Sequence, residues 1–243
     1  MRIDADNIPY RELNERIHAA LTDGAGELIL DNVRGQRYIG AALESGAHIT
    51  IEGVPGNDLG AFMNGAEVTV NGNVQDAVGN TMNAGKIVVH GDAGDILGYS
   101  MRGGTIFVGG SVGYRAGIHM KAYKDRHPTV VVGGRAGDYL GEYMAGGALV
   151  VLGMHSSDRP PVGEWIGTGM HGGVMYLRCR PEPHQLGAEV GLDELEDEDW
   201  SRLEGILSQY CRELDLTGVR FSPEDFVKLY PRTARPYGTL YAY

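Results

Sequence analysis

Six methionines, Met63, Met82, Met101, Met120, Met144 and Met170, set the frame of this chain, and the first four fall 19 residues apart. A glycine stands three residues before each (Gly60, Gly79, Gly98, Gly117, Gly141, Gly167), and another stands seven residues before the first five of those (Gly53, Gly72, Gly91, Gly110, Gly134). Ahead of these comes a pair of apolar residues two apart: Ile49/Ile51, Val68/Val70, Ile87/Val89, Ile106/Val108, Val130/Val132 and Leu149/Val151. A degenerate first copy holds Leu28/Leu30, Gly40 and Leu43, and a trailing half copy holds Met175/Leu177. A fixed period near twenty residues marks a repeat architecture.

Apolar residues two apart select strand. Glycine costs roughly 1 kcal/mol in a helix interior, so several per unit exclude the helical half of a leucine-rich repeat. Nineteen residues accommodate three short strands with turns between them, which is one coil of a parallel β-helix. The expected fold is mainly β: a right-handed parallel β-helix, a single-stranded solenoid of ~19-residue coils and about seven turns, with an N-terminal capping helix and C-terminal helices. Inward positions are the apolar pair, then Val74, Ala93, Val112 and Ala136, then Leu59, Val78, Leu97, Ala116 and Leu140, then the methionines. The glycines are expected at corners that need positive φ. Glycine is indeed abundant, at 38 of 243 residues, without the every-third spacing of collagen.

Three segments follow: a capping helix over 1–24, the solenoid over 25–180 and a helical extension with a tail over 181–243. In the first, Asp6-Asn7-Ile8-Pro9 offers a cap followed by a proline suited to a first helical turn, and Tyr10, Leu13, Ile17, Ala20 and Leu21 share one face before Gly24. In the last, acids from Asp193 to Asp199 lead into a stripe of Trp200, Leu203, Leu207, Tyr210 and Leu214. Ser222-Pro223-Glu224-Asp225 resembles a second capped start, with Phe226, Val227 and Leu229 behind it.

Asn57, Asp76, Asp95 and Asp138 occupy equivalent places in their coils, and acids beside turn glycines are expected to bond their own backbone rather than calcium. Gly133-Gly134-Arg135-Ala136-Gly137 imitates a phosphate loop but lacks the helix that gives such a loop its mechanism. Two insertions interrupt the array. Five extra residues between Met120 and Thr129 bring Lys121, Tyr123, Lys124, Asp125, Arg126, His127 and Pro128; seven between Gly153 and Gly167 bring His155, Asp158, Arg159 and Trp165. Loops on a rigid solenoid are where binding surface is built. His119, His127, His155 and His171 have no metal-ligand spacing, and solvated loop histidines are the simpler reading. Arg126, Trp165, Tyr237, Tyr241 and Tyr243 are the expected contacts to other subunits, as arginine and aromatic anchors.

The net charge of −11 argues against nucleic acid and anionic membranes as partners. No apolar run reaches the ~20 residues of a membrane span and no signal core opens the chain, so a cytoplasmic setting is expected. Cys179 and Cys211, without ligand spacing, fit reduced thiols.

The stretches Gly133–Gly147, Gly163–Gly173, Leu30–Ala42 and Asp225–Leu240 resemble the glycine-repeat (GXGXG) domain that ends the large subunit of glutamate synthase, in its stand-alone subunit form. The resemblance implies a supporting role: the family's glutaminase uses an N-terminal cysteine where this sequence has Met1-Arg2, and its FMN and iron–sulfur centre lie in another domain. It implies no catalytic, cofactor or metal residue in this chain. The implied partners are a class II glutamine amidotransferase-like subunit and an FMN/iron–sulfur synthase-like subunit, with N-methylglutamate synthase among the related complexes. The alternative is the similar β-helix subunit of a formylmethanofuran dehydrogenase-type or formyltransferase/hydrolase complex. A carbohydrate-active β-helix enzyme is a third class, which would need carboxylates across an open cleft.

Overall fold

The computed structural model describes residues 1–154 and 160–232. Strand β1 (Arg2–Asp4) and helix α1 (Tyr10–Thr22) precede eight strands, β2 (Glu27–Arg34), β3 (His48–Val54), β4 (Asn64–Asn71), β5 (Ala84–Val89), β6 (Thr105–Val108), β7 (Thr129–Val132), β8 (Ala145–Val151) and β9 (Gly172–Leu177). Strand β10 (Val190–Glu194), helix α2 (Asp197–Glu213) and strand β11 (Val227–Pro231) complete the described chain. From β1 to β9 each strand pairs in parallel with the next in sequence order, which is the stacking of a solenoid.

The register is the one the period predicts. Leu28, Ile49, Val68, Ile87, Ile106, Val130, Leu149 and Met175 face one another in unbroken succession, coil upon coil. A second column of bridges joins Val74, Ala93, Val112, Ala136 and Val162. With Leu59, Val78, Leu97 and Leu140, and six fully buried methionines from Met63 to Met170, these fill one continuous core. Each fully buried apolar side chain contributes roughly 1.5–3 kcal/mol of transfer free energy, so the array rather than any one coil is the stable unit.

The glycines divide into two kinds, and only one matches the expectation. Gly79 and Gly98 sit at φ +68, the left-handed corner for which glycine carries no steric cost. In the other series Gly53 still has φ +131, but Gly91 and Gly110 do not have positive φ. They are small for a different reason: a Cβ there would stand 2.2 Å from Asn73 Oδ1 and 2.1 Å from Asp92 Oδ1 of the preceding coil.

Those acceptors show how the polar positions are used. Asn73 Oδ1 accepts the Asp92 N–H, Asp92 Oδ1 the Ser111 N–H, and Ser111 Oγ the Arg135 N–H. A parallel ladder runs from Asp76 to the Asp95 N–H, from Asp95 to the Tyr114 N–H and from Asp138 to the Glu164 N–H, each bond 2.8 or 2.9 Å. The acids therefore bond the next coil's backbone, not their own as expected. Bonding to the adjacent coil satisfies a donor that the turn leaves unpaired.

The two ends are closed differently. Helix α1 lays Leu13, Ile17 and Ala20 onto the first coil's core, and the segment before it is not helical: β1 adds a strand beside β2. Pro9 occupies the cap position and no side chain caps the helix, so the Asp6-Asn7 cap signal is not used that way; Asp6 instead donates its N–H to Asp4 Oδ1. At the far end β11 runs antiparallel to β9 and β10 antiparallel to β11, which ends the parallel stack. The second capped start is thus a single 3₁₀ turn, Pro223–Asp225, leading into a strand, not a helix. Phe226-Val227-Lys228-Leu229 is short, with apolar residues on either side of Lys228, and pairing with β9 decides its conformation.

Helix α2 lies on the flank. Its Leu203, Leu207 and Tyr210, with Leu214 just past its end, cover the outward-facing Phe107, Val131, Val150 and Tyr176 in a second buried cluster. The Tyr210 ring meets Phe107 edge-on at 5.6 Å and its hydroxyl donates to Val108 O at 3.1 Å.

A basic and aromatic cleft on the solenoid flank

The position just after each methionine is occupied in successive coils by Asn64, Asn83, Arg102, Lys121, Ala145 and His171. They are held in register because the amides of Arg102, Lys121, Ala145 and His171 donate to the carbonyls of Met82, Met101, Met120 and Met144, at 2.7–3.0 Å. The position before each methionine has positive φ: Phe62 +57, Thr81 +54, Ser100 +52, His119 +54 and Tyr143 +53. Left-handed backbone at non-glycine residues is costly and often marks function, but its recurrence in every coil identifies this as the geometry of the turn itself. That turn projects His119 and Tyr143 outward, where both are exposed.

On this side the five-residue insertion leaves the coil after Lys121 and closes on itself through reciprocal backbone bonds between Tyr123 and Arg126. The wall it makes encloses a cleft of 680 Å³. Its cationic side chains are Arg102, Lys121 and Lys124, and its rings are Tyr99, His119, Tyr123, Tyr143 and His171; among the described residues no Asp or Glu lines it. His119 stacks on Tyr143 at 5.2 Å with 13° between the planes, and Tyr99 meets His119 edge-on at 6.0 Å. Lys124 Nζ sits 5.3 Å from the Tyr123 ring centroid. The nearby carboxylate of Glu142 is turned to Arg115 at 2.9 Å, and Arg115 in turn lies over the Tyr139 ring.

The expected interface residues are not gathered there. Arg126 turns back across the coils, its Nη1 3.4 Å from Asn64 Oδ1 and from Asn83 O. Trp165 is half exposed and stacked on Tyr139 at 4.9 Å, on the part of the surface beyond the cleft. Tyr237, Tyr241, Tyr243 and His155 lie outside the described residues. Of the four histidines considered, His119 and His171 share the cleft and His127 does not line it. Among the described residues, no group of three or more His, Cys, Asp or Glu side chains is placed to hold a metal ion, and no helix is long and apolar enough to cross a membrane. Burial pushes the Cys179 thiol up to about 11, which keeps it protonated and unreactive near neutrality.

The GXGXG motif family matches residues 24–221. An uncharacterized protein of Methanocaldococcus jannaschii is 44% identical over 255 aligned positions that cover 98% of this chain and 95% of that one. Among solved structures, a chain of the formyltransferase/hydrolase complex (FhcABCD) from Methylorubrum extorquens, in complex with methylofuran, superposes with a TM-score of 0.61 at 22% identity, covering 89% of this chain and 85% of that chain. At that identity the likeness is one of fold. With the stacked coils and the family match spanning most of the sequence, the chain belongs to the GXGXG motif family.

Proposed function

We propose that this protein is a non-catalytic structural and assembly subunit of a glutamate synthase-like complex, including the N-methylglutamate synthase-like kind. Its partners on this reading are a class II glutamine amidotransferase-like subunit and an FMN/iron–sulfur synthase-like subunit, which carry the cofactors. The family match across residues 24–221 is the observation that carries it. The use of the coil acids supports the same role: Asp76, Asp95 and Asp138 are committed to bonding coil to coil, which builds a rigid scaffold rather than a reacting centre.

A second reading, the β-helix subunit of a formyltransferase/hydrolase or formylmethanofuran dehydrogenase-type complex, is favoured by the fold likeness to a chain of such an assembly. Affinity purification of the full chain from its native source, with mass identification of stoichiometric companions and an absorption spectrum, separates the two. The first reading expects an amidotransferase-like chain and flavin absorbance; companions of the formyl-transfer type decide for the second. A chain recovered alone from gently lysed cells overturns both.

A further inference from the structure

We propose that two copies of this chain associate through the third side of the solenoid, face to face and antiparallel, around a two-fold axis that crosses segment 96–100. The proposal does not depend on which companions the chain has.

Each coil has three sides: a long strand, a place in the bridge column from Val74 to Val162, and the stretch leading from there to the methionine. In successive coils that stretch is 38–42, 58–62, 77–81, 96–100, 115–119, 139–143 and 165–169. Its first and last residues have positive φ, as in Asp58 +62 with Phe62 +57 and Ala77 +61 with Thr81 +54. Their amides donate to the next coil, Asp58 to Asp76 O, Phe62 to Asn80 O and Thr81 to Tyr99 O, at 2.7–3.0 Å. The outward side chains therefore stand in fixed columns. Helix α2 covers the strand side, whereas here Tyr38, Phe62, Tyr99, Tyr143 and Trp165 are exposed, Phe62 by 56%. The other exposed Tyr, Phe and Trp side chains among the described residues are Tyr114, at the margin of this side, and Tyr123, in the insertion beside it.

Charge is scarce on this side of a chain that is 22% charged. Its charged residues are Asp58, Arg115 and Glu142, and the last two are paired at 2.9 Å. An exposed aromatic strip depleted of charge has the composition of an interface centre. Six steps of about 4.8 Å make it about 29 Å long, and five residues make it about 16 Å wide. The flat footprint is on the order of 500 Å², and the projecting rings raise its accessible area to the scale of the ~800 Å² that each partner buries in a standard interface.

The occupant is a second copy because the side is complementary to itself. Turned over on an axis across 96–100, each column meets its own counterpart in reverse order, as an isologous contact requires. Tyr99 meets Tyr99 of the second copy, Phe62 meets Tyr143, and Tyr38 meets Trp165. The small Ala77 and Thr81 fall opposite the large Arg115 and His119, so the recess of one copy takes the relief of the other. Asp58, held by the Asn80 amide at 2.9 Å, falls opposite Tyr139, over whose ring the Arg115 guanidinium lies at 4.4 Å. Opposite charges thus come close across the contact. A parallel pairing would set large on large and leave the recess at 77–81 unfilled.

The test is sedimentation velocity of the full chain from about 1 to about 100 µM, at the micromolar end of affinities for interfaces of this size. A monomer–dimer equilibrium is expected. It should hold or tighten as salt rises from about 50 to about 500 mM, because two chains of −11 repel at a distance and salt screens that repulsion. Tyr99→Glu, which sets two carboxylates against each other on the axis, should weaken the dimer at least tenfold. Phe62→Ser, at a side chain more than half exposed, should weaken it at least threefold with an unchanged melting temperature, and serves if Tyr99→Glu does not fold. A short bismaleimide reads the orientation. Ser100→Cys should cross-link to itself, while Thr81→Cys and His119→Cys should cross-link only when mixed; the wild type, whose Cys179 and Cys211 are partly buried, gives the background. A chain that is monomeric throughout, a dimer that neither substitution weakens, or Thr81→Cys cross-linking to itself as well as Ser100→Cys does each overturns the proposal. The subunit reading fails separately, when native purification recovers no companion.

Discussion

Oδ1 of Asp95 accepts the backbone N–H of Tyr114 at 2.8 Å, a bond from one coil to the next that passes through the space left by Gly113. A Cβ on Gly113 would stand 1.9 Å from that oxygen. Gly94 beneath Asp76 and Gly163 beneath Asp138 repeat the relationship at 2.1 Å each. The glycine and the acid of the preceding coil are therefore one structural device.

Replacing Asp95 by Ala should cost about 0.5–1.5 kcal/mol, the net worth of one intramolecular hydrogen bond, since the Tyr114 N–H lies at the surface. Asp95→Asn should cost much less, because Asn73 already performs the same task for the Asp92 N–H at 2.9 Å. Gly113→Ala should be strongly destabilising alone and far less so on the Asp95→Ala background. Urea midpoints of the two single variants and the double variant measure this coupling. Strict additivity would mean that the alanine methyl is accommodated without displacing the carboxylate.

Much of this fold is legible in the sequence because the solenoid has one chemical rule per position. Ile49, Val68, Ile87 and Ile106 are found in register where the period puts them. The flank is less legible. The residue between each apolar pair is Thr50 and Thr69 in early coils but Val88, Phe107, Val131, Val150 and Tyr176 later, and it is this later run that α2 covers. That change from alternating to continuous apolar strands was a readable signal of a covered face. β10 and β11 were not readable, since their pairing with β9 depends on where the chain returns after α2. The cleft draws its residues from four coils and one insertion, and its signal was the change from asparagine to cation after Met101 and Met120.

Met82 and Met101 are fully buried neighbours in the methionine column. The Met82 methyl lies 2.7 Å from the Cβ position of Gly104, so there is no room beside it for a larger residue there. Truncating either methionine to Ala should cost about 2–5 kcal/mol. Unfolding midpoints unchanged in both would show that neighbouring coils collapse into the space.

Tyr210 fastens α2 to the solenoid with its ring against Phe107 and its hydroxyl on Val108 O. That carbonyl also accepts the Gly133 N–H at 2.8 Å, so Tyr210→Phe leaves it one partner and should cost only about 1 kcal/mol. Tyr210→Ala should cost about 3–5 kcal/mol and expose Phe107 and Val131, raising binding of a hydrophobic dye. Gly133→Ala would place a methyl 2.2 Å from the Tyr210 hydroxyl and should reproduce part of that effect. Comparable losses in the Phe and Ala variants would show that the hydroxyl, and not the ring, holds the helix.

Strand β11 is tied to α2 through Lys228, which forms a short ion pair with Asp199 of α2 while the Tyr176 hydroxyl of β9 donates to the same carboxylate at 3.2 Å. Burial opposes ionisation of Asp199, but the bonds from Lys228 and the Glu196 N–H outweigh it and hold the carboxyl below its ordinary range. Its contribution is therefore present above the unfolded value of about 3.9 and is lost as pH falls through the depressed folded value. Lys228 is raised by its bond to Asp199, so its contribution is complete below the unfolded value of about 10.4 and is lost as pH rises through the raised one. Burial, with the Asp199 charge next, pushes the Tyr176 phenol up to about 12, so it remains a donor across that window. The stability difference between wild type and Lys228→Met should accordingly be flat from pH 5 to about 9 and shrink below about pH 4 and above about pH 10.5. Urea unfolding at pH 3, 5, 7, 9 and 11 reads this directly. A difference that persists undiminished at pH 3 and pH 11 would show that Lys228 supports β11 by packing of its stem and not by its charge.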